Sequence, residues 1–373
     1  MMKKRVLIIF GLSLIILFLG SCQPASSNQE LSRAELREKL ESAEEIPRSA
    51  AFQRREFLPY QNDQWIGKAI SYGCYRAGQA PGKSGPSSAE ILEDLQIIQQ
   101  HWNLIRVYNA DADTERILEV IKANNLPLKM MLGIWLENET DQPQKQKSNI
   151  ANTLKALELA AQYPQTIIAL NVGNETQVYW SWHKMQRQDL IRYLRIVRKN
   201  SNVPITTADD YNFWNKAESR EVAAELDFIV AHIYPLWNGK TLENAMPWFD
   251  TTYRELRKFH PEQEIVIGEV GWATNYNPEK KGPDAQGTLI KGEVSLDAQY
   301  RFLVQLERWI EKNRTTTFLF EAFDELWKGG EQTGLNEIEK NWGVFYTNRK
   351  PKESFQRFLS DKKQAPTKME DQR

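Results

Sequence analysis

Short apolar runs alternate with longer segments of helical periodicity along most of this chain. Several runs, such as TIIALNV, are apolar without a break, which is typical of strands buried on both faces of a parallel sheet. Eight such strands are predicted, at residues 66–72, 104–108, 128–135, 166–172, 203–207, 228–234, 265–270 and 316–323.

Helix start signals fall between these runs. Ser87 and Glu90 form a capping box ahead of apolar residues at helical spacing, and Asp113 or Thr114 is expected to cap the next helix. Eight strand and helix units in succession predict an α/β fold, a (β/α)8 barrel in a single domain. The strand count leaves an open doubly wound sheet as the alternative. Residues 73–88 contain glycines but match no nucleotide-binding loop.

The N-terminus has the pattern of an export signal. Three basic residues precede the apolar run 6–19, and the small residues after it end at Cys22. This segment resembles a bacterial lipobox, so residues 1–21 are expected to be a signal peptide and Cys22 the acylated N-terminus of an exported protein anchored to a bacterial membrane. Gln23 favours the outer membrane or cell surface. An uncleaved signal anchor is the alternative.

Composition divides the rest of the chain into three parts. Residues 22–62 are polar and charge-mixed and are predicted to be a tether, with Leu31, Leu36 and Leu40 giving one weak helix that buries little surface. Residues 63–360 form the predicted barrel. Residues 361–373 are again polar and predict a frayed tail.

Composition and charge narrow the class of partner. The formal charge of −1 over 373 residues gives no basic field for nucleic acid, whereas 12 Trp and 13 Tyr suit the apolar faces of sugars. With Cys22 acylated, Cys74 is left alone and no disulfide is expected. The four histidines lack metal-ligand spacing, so no metal is expected. No other cofactor is expected either. The protein is expected to be a monomer.

Two glutamates stand at the ends of predicted strands. Glu175 follows the fourth strand, and Glu269 comes directly after EIVIG near the end of the seventh. Active sites of such barrels form at the carboxyl ends of the strands, so both carboxylates are expected to face one cleft. A pair of this kind is what cleavage of a glycosidic bond requires, although a single glutamate after a strand is more often an exposed loop charge.

Five ordered motifs, NVGNE, IGEVGW, LIRVYNAD, AHIYP and FEAFDELWK, together resemble glycoside hydrolase family 17, the β-1,3-glucanase family. The resemblance covers residues 65–358. It implies a retaining double displacement on β-1,3-glucan, with Glu175 as general acid/base and Glu269 as nucleophile. Transglycosylation by the same glutamates, a non-catalytic glucan-binding lipoprotein, and a hydrolase of another β-glycan are the alternatives.

The resemblance also implies roles for neighbouring residues. Asn174 would hold the sugar 2-hydroxyl, Tyr234 would orient the nucleophile, and Glu325 and Lys328 would hold the substrate site. Arg106 is expected to pair with Glu269 and lower its pKa, or else to be a buried structural arginine. Tyr72 and the long loop 273–293 are expected at the cleft as well, and sugar stacking is expected from Trp272, Trp135, Tyr179, Trp180 and Trp327.

Overall fold

The computed structural model of the chain describes residues 32–42, 45–48, 52–280, 286–330 and 332–364. The predicted signal peptide, Cys22 and the chain beyond residue 364 lie outside these ranges. Across the described ranges, no helix has the length and apolar character needed to span a membrane.

Eight parallel strands close into a barrel, so the (β/α)8 prediction is confirmed and the open sheet is wrong. A two-stranded antiparallel hairpin, β1 and β2, precedes the barrel, whose strands β3 to β10 follow in sequential order. The strands are Tyr60–Gln61 (β1), Gln64–Trp65 (β2), Lys68–Ser71 (β3), Leu104–Val107 (β4), Lys129–Ile134 (β5), Ile167–Asn174 (β6), Ile205–Asp210 (β7), Ile229–His232 (β8), Ile265–Val270 (β9) and Thr317–Leu319 (β10).

Helices connect the strands and cover the outside of the barrel. They are Arg33–Glu41 (α1), Ser88–Ile98 (α2), Ala112–Ala123 (α3), Pro143–Gln162 (α4), Arg187–Lys199 (α5), Tyr211–Trp214 (α6), Ser219–Ala223 (α7), Leu242–Phe259 (α8), Gln286–Leu289 (α9), Leu296–Asn313 (α10) and Glu353–Gln364 (α11), with a 3-10 turn at Ile338–Lys340.

Two helix starts test the capping predictions. Ser87 and Glu90 form the predicted box at α2. At α3, however, the cap is Asp111, whose Oδ1 accepts a hydrogen bond of 3.0 Å from the Thr114 backbone N–H. The prediction of Asp113 or Thr114 was therefore wrong, because the chain turns into the helix two residues earlier. Asp113 instead pairs with Arg116 at 2.8 Å.

A compact apolar cluster fills the barrel interior towards the end at which the strands begin, and all eight strands contribute to it. Its strand members are Ala69, Leu104, Met131, Ala169, Ala208, Val230, Val266 and Phe318. Phe57, from the segment before the hairpin, joins this cluster and stacks on Phe228 with ring centroids 4.4 Å apart. Polar side chains are therefore displaced to the other end of the barrel, where the strands finish.

Part of the segment predicted to be a tether is packed on the domain, because helix α1 contacts α4 and α5. Leu36 and Leu40 of α1 are buried, and Arg33 pairs with Glu158 of α4 at 2.8 Å. The domain therefore begins before the predicted boundary at residue 63, because Leu36, Leu40 and Phe57 pack against apolar residues of the barrel and its helices. At the other end α11 continues to Gln364, and Phe355 stacks on Trp102.

Candidate active site

An abrupt turn at the end of β6 places Glu175 at the carboxyl end of the barrel strands. Gly173 has φ of +81° and Glu175 itself φ of +49°. A left-handed conformation costs a residue with a Cβ roughly 1–2 kcal/mol. The Glu175 backbone N–H donates to the Ala208 carbonyl at 2.8 Å, which holds the turn against the next strand. The carboxylate therefore projects from a fixed backbone.

Glu269 lies in β9 and is almost completely buried, and three donors hold its carboxylate. Oε1 accepts from Arg106 Nη1 at 2.7 Å and from the Tyr108 hydroxyl at 3.0 Å. Among the described residues, Oε2 accepts from the Tyr234 hydroxyl alone, at 2.8 Å. A carboxylate oxygen has about two acceptor positions, so Oε2 is the oxygen that keeps one free for reaction.

The charge on Glu269 is stabilised despite its burial. Burial alone raises the pKa of a carboxyl group, but here the charges of His232 and Arg106 and the hydrogen bond from Tyr234 outweigh it and lower the pKa of Glu269 below its usual value. Glu269 is therefore ionised at neutral pH.

His232 ends strand β8 and lies fully buried between the two glutamates. Its Nδ1 is 2.8 Å from Glu175 Oε1, and its Nε2 is 3.5 Å from Glu269 Oε1. One oxygen of each carboxylate and one imidazole nitrogen lie within 4.8 Å of one another. By distance alone these groups could hold a metal ion, but the Arg106 guanidinium already pairs with Glu269 and its positive charge opposes a cation there.

Arg106 also fixes the orientation of Asn174. Its Nη2 donates to Asn174 Oδ1 at 2.5 Å, so the side-chain NH2 of the asparagine is the group turned away from the guanidinium. The side chain of Arg106 is fully buried and its Nη1 also donates to the Gly268 carbonyl at 3.1 Å. One arginine thus positions the Glu269 carboxylate and a neighbouring hydrogen-bond donor together.

Further carboxyl groups surround this centre. Burial, together with the charge of Glu175, raises the pKa of Asp210 to about 7, although hydrogen bonds from Asn212 oppose the shift. Burial also raises the pKa of Glu339 to about 7; Lys328 opposes this shift, and the nearby carboxylates, Glu269 among them, add to it. Acids that stay partly protonated limit the negative charge at this end of the barrel.

The end of β10 contributes a second charged cluster. Lys328 pairs with Glu325 at 2.9 Å and with Glu321, and the Trp327 indole N–H donates to Glu325 Oε1 at 3.0 Å. Burial opposes the charge of Lys328, but the two glutamates outweigh it and raise the pKa of this lysine. The predicted residues Glu325 and Lys328 therefore lie at the same end of the barrel as Glu269, held by one another.

Two predicted substrate residues lie in the interior instead. Trp272 is buried, donates its indole N–H to the Glu293 carbonyl at 2.9 Å and packs on Phe302. Tyr72 is buried and donates to Asp94 Oδ2 at 3.1 Å. Neither ring presents a face to a sugar, so both assignments are corrected. The contact with Glu293 shows that part of loop 273–293 folds back onto Trp272; residues 281–285 lie outside the described ranges.

Other predicted aromatic residues do reach the surface at this end of the barrel. Tyr179 and Trp180 are exposed, and Trp135 and Trp327 are half-buried. Sequence reasoning missed Trp182, Tyr108, His232 and Glu339. The signals for two of them were present, since His232 stands in AHIYP two residues before Tyr234, and Tyr108 directly follows an apolar strand. Both are polar residues at strand ends, the criterion that selected the glutamates.

A closed (β/α)8 barrel whose strand ends bring two carboxylates within 5 Å defines the class of barrel glycoside hydrolases. The sequence profile of the BtgE/BtgC glycoside hydrolase domain matches residues 69–343, and the chain belongs to this family. Similar curated proteins include the putative glucan endo-1,3-beta-glucosidase btgC of Aspergillus niger, 28% identical over 281 residues, and the glucan endo-1,3-beta-glucosidase btgC of Emericella nidulans, 26% identical over 281 residues.

Each alignment covers 71% of this chain but only 39% and 41% of the relative, respectively, so the chain spans about two fifths of the length of these proteins. Solved structures show the same fold. An endo-laminarinase from Formosa Hel1_33_131 superposes with a TM-score of 0.69 at 23% identity, covering 81% of this chain and 89% of its own. A family 17 β-1,3-glucanosyltransferase from Rhizomucor miehei gives 0.59 at 20%, covering 77% and 96%.

Proposed function

We propose that this protein cleaves β-1,3-glucan with retention of configuration, through a covalent glycosyl-enzyme. The observation that carries the proposal is the short separation of the two carboxylates, whose nearest oxygens lie within 4.8 Å around His232. Retaining enzymes place their carboxyl groups about 5–5.5 Å apart, whereas inverting enzymes leave a wider gap for a water molecule.

The environments of the two glutamates support a division of labour. Glu269 is buried, ionised and held by Arg106, Tyr108 and Tyr234, as a nucleophile requires. The Glu175 side chain is 27% exposed and its one described side-chain partner is His232, so it can exchange a proton with substrate and water. Glu175 would protonate the departing oxygen, then take a proton from the incoming water.

The names of the curated relatives support β-1,3-glucan as the substrate. Those relatives are glucan endo-1,3-beta-glucosidases, and the structural neighbours include an endo-laminarinase. Asn174 would donate its side-chain NH2 to the 2-hydroxyl of the sugar beside Glu269, the orientation that its bond to Arg106 favours. A neutral glucan also suits a cleft in which two neighbouring acids have pKa values near 7.

Turnover of laminari-oligosaccharides by the full chain and by Glu269→Ala and Glu175→Ala tests the proposal. The wild type should release products that first appear as the β-anomer, and Glu269→Ala should fold but be inactive. Glu255→Ala, the same change on the exposed face of α8, is the matched control. Inversion at the anomeric carbon, or full activity of Glu269→Ala, would refute the mechanism. Activity on mannan or cellulose alone would refute the substrate.

We also propose that Cys22 carries lipid and holds the exported protein at a bacterial membrane. The basic, apolar and small-residue order of residues 3–22 supports this proposal. Wild type expressed with radiolabelled palmitate should incorporate label and sediment with membranes, whereas Cys22→Ala should do neither. Equal labelling of the two proteins would refute the assignment.

A further inference from the structure

The proposed mechanism leaves His232 without a role, although its imidazole lies between the two glutamates. The ring is fully buried. His232 is paired in register with Asp210 of β7 on one side and with Glu269 of β9 on the other, and Glu175 directly follows β6. The four side chains therefore lie in one row, at the carboxyl ends of four consecutive strands.

Glycine at position 268 gives the imidazole its place in this row. A Cβ on Gly268 would lie 2.3 Å from Val230 Cγ1, 3.0 Å from His232 Cδ2 and 3.2 Å from His232 Nε2. Any larger residue would therefore displace the imidazole or the valine. With glycine there, the ring can lie directly against the backbone of β9, which brings Nε2 towards Glu269.

The Nδ1 end of the imidazole leaves one oxygen of Glu175 for chemistry. Nδ1 and Glu175 Oε1 are 2.8 Å apart, a hydrogen-bond distance that requires one proton between them. Glu175 Oε2 has no hydrogen-bond partner among the described residues, so it is the oxygen that can exchange a proton with substrate. With that proton on Oε2, Oε1 is an acceptor whether the group is ionised or not. Nδ1 is therefore the donor.

The Nε2 end of the imidazole indicates a second proton on the ring. Nε2 is 3.5 Å from Glu269 Oε1 and has no hydrogen-bond partner in the described part of the chain. A neutral imidazole with its proton on Nδ1 would direct the Nε2 lone pair at an ionised carboxylate, and the two would repel each other. An imidazolium directs an N–H there instead, and the interaction is attractive.

Three carboxyl groups face the imidazole, each from a neighbouring strand end. Glu175 and Glu269 lie within 3.5 Å of its two nitrogens. Burial raises the pKa of Asp210 to about 7, and the charge of His232 is among the effects that oppose this shift. Burial also raises the pKa of Glu269, but the charge of His232 is the largest of the effects that outweigh it. These acids favour a positive charge on the ring.

The other charged and titratable groups of the site are directed at Glu269 or at backbone rather than at the imidazole. Arg106 of β4 pairs with Glu269 at 2.7 Å, and the hydroxyls of Tyr108 and Tyr234 donate to the same carboxylate at 3.0 and 2.8 Å. Asp209 of β7 is a further buried acid that accepts from backbone N–H groups. Carboxyl groups therefore outnumber the guanidinium around the ring in the described ranges.

Over one catalytic cycle a single negative charge moves between the two glutamates. In the first step Glu269 Oε2 bonds to the anomeric carbon, the bond from that carbon to the glycosidic oxygen breaks, and this oxygen takes the proton of Glu175 Oε2. Glu269 is then an uncharged ester and Glu175 a carboxylate. In the second step a water oxygen bonds to the anomeric carbon, the bond from that carbon to Oε2 breaks, and a water proton passes to Glu175.

We propose that His232 is a positioning residue that keeps a proton on both ring nitrogens through this cycle and stabilises the charge on whichever glutamate holds it. The inference rests on the function proposed above. Nδ1–H donates to Glu175 and Nε2–H faces Glu269, so one fixed positive charge serves both ends of the movement. The protein does not have to reorganise when the charge moves, which keeps the barriers of both steps low.

The pH dependence of kcat/KM on laminarihexaose tests this role. His232→Asn keeps a neutral donor near the position of Nδ1 and removes the charge. The acid limb, which reports ionised Glu269, and the basic limb, which reports protonated Glu175, should both move to higher pH by about 1 to 3 units, the usual effect of losing a neighbouring opposite charge. His101→Asn, at a half-buried histidine that packs on Trp102 after α2, is the matched control and should move neither limb.

Limbs that stay in place in a folded His232→Asn would overturn the inference, whatever the fall in kcat, because His232 would then only pack the site. Movement of the acid limb alone would also overturn it, because the charge would then not act on Glu175. Movement of both limbs with the His101→Asn profile unchanged is the result that supports it.

Nitrogen-15 NMR of the full chain with labelled histidine observes the charge directly and does not depend on the folding of His232→Asn. The His232 signals can be assigned by substituting the other three histidines one at a time. They should show a proton on both ring nitrogens at pH 7, in the free enzyme and in the glycosyl-enzyme trapped with a 2-deoxy-2-fluoro laminaribioside. A ring with a single proton in either state would contradict the proposed role. A wild type that cleaves no β-glucan would refute the proposed function instead, whatever the charge of His232.

Discussion

Replacing Tyr234 with phenylalanine removes one hydrogen-bond donor from Glu269, the proposed nucleophile, and preserves the aromatic ring. The Tyr234 hydroxyl is the hydrogen-bond donor on Glu269 Oε2, at 2.8 Å, whereas Oε1 keeps both Arg106 and Tyr108. A hydrogen bond to a charged group contributes about 1.5–3 kcal/mol. The pKa of Glu269 should therefore rise by about 1 to 2 units, at about 1.4 kcal/mol per unit.

The pH dependence of kcat/KM on a laminari-oligosaccharide measures this shift. Its acid limb reports the ionisation of the nucleophile in the free enzyme, and it should move to higher pH in Tyr234→Phe. The second chemical step should slow by about 10- to 100-fold as well, because Glu269 must leave as a carboxylate without that donor. The glycosyl-enzyme should then accumulate and give a burst of the first product.

The free energy of unfolding should also depend on pH, in the direction that the lowered pKa of Glu269 requires. The folded-state pKa of Glu269 lies below its usual 4.5, so ionised Glu269 contributes stability above that pH, and the contribution is lost as the pH falls through the folded pKa. Urea unfolding should find Tyr234→Phe less stable than wild type at pH 7, with a smaller difference at low pH. Tyr108→Phe is the matched control, since Oε1 retains Arg106. An unmoved acid limb in Tyr234→Phe would refute the reasoning.

Three further predictions concern groups away from the nucleophile. Asp210→Asn keeps an acceptor for the α6 cap but removes the ionisable group, whose pKa burial raises to about 7. As the pH rises from 4 to 7, urea unfolding should therefore show wild type losing a few kcal/mol of unfolding free energy relative to this variant. A difference that stays constant with pH would contradict this. Phe57→Ala removes the ring stacked on Phe228 and should cost about 3–5 kcal/mol of unfolding free energy, with kcat unchanged; a lower kcat at full folding would contradict the separation of base and cleft. Leu40→Ala should release α1, seen as faster amide exchange across residues 33–41 with turnover unaffected, and protection equal to wild type would show that Leu40 does not hold the helix.

The barrel was predictable because strands buried on both faces leave unbroken apolar runs in the sequence. All eight runs became strands, and the positions of Glu175 and Glu269 followed from them. The physical argument for the two proposed roles needed the structure, because it depends on Arg106 and Tyr234 donating to Glu269 and, within the described ranges, not to Glu175.

The errors have a common physical cause. Trp272 stands three residues after Glu269 in sequence, just beyond β9, but its ring turns to the outer helices and packs on Phe302 of α10. Leu36 and Leu40 appeared too few to bury surface because the sequence does not show the partner helix α4. Side-chain direction and long-range partners are properties of the folded chain, and local pattern does not contain them.

The unit that folds is longer than the region by which its family is recognised. A fragment limited to residues 69–343 would contain both glutamates. It would lack the ring of Phe57 under the barrel and Lys352, which is buried 2.8 Å from Asp324. Such a fragment would expose an apolar barrel floor and leave a buried carboxylate without its cation. A fragment for heterologous production should therefore contain the whole of residues 32–364, which include α1, Phe57, Lys352 and α11.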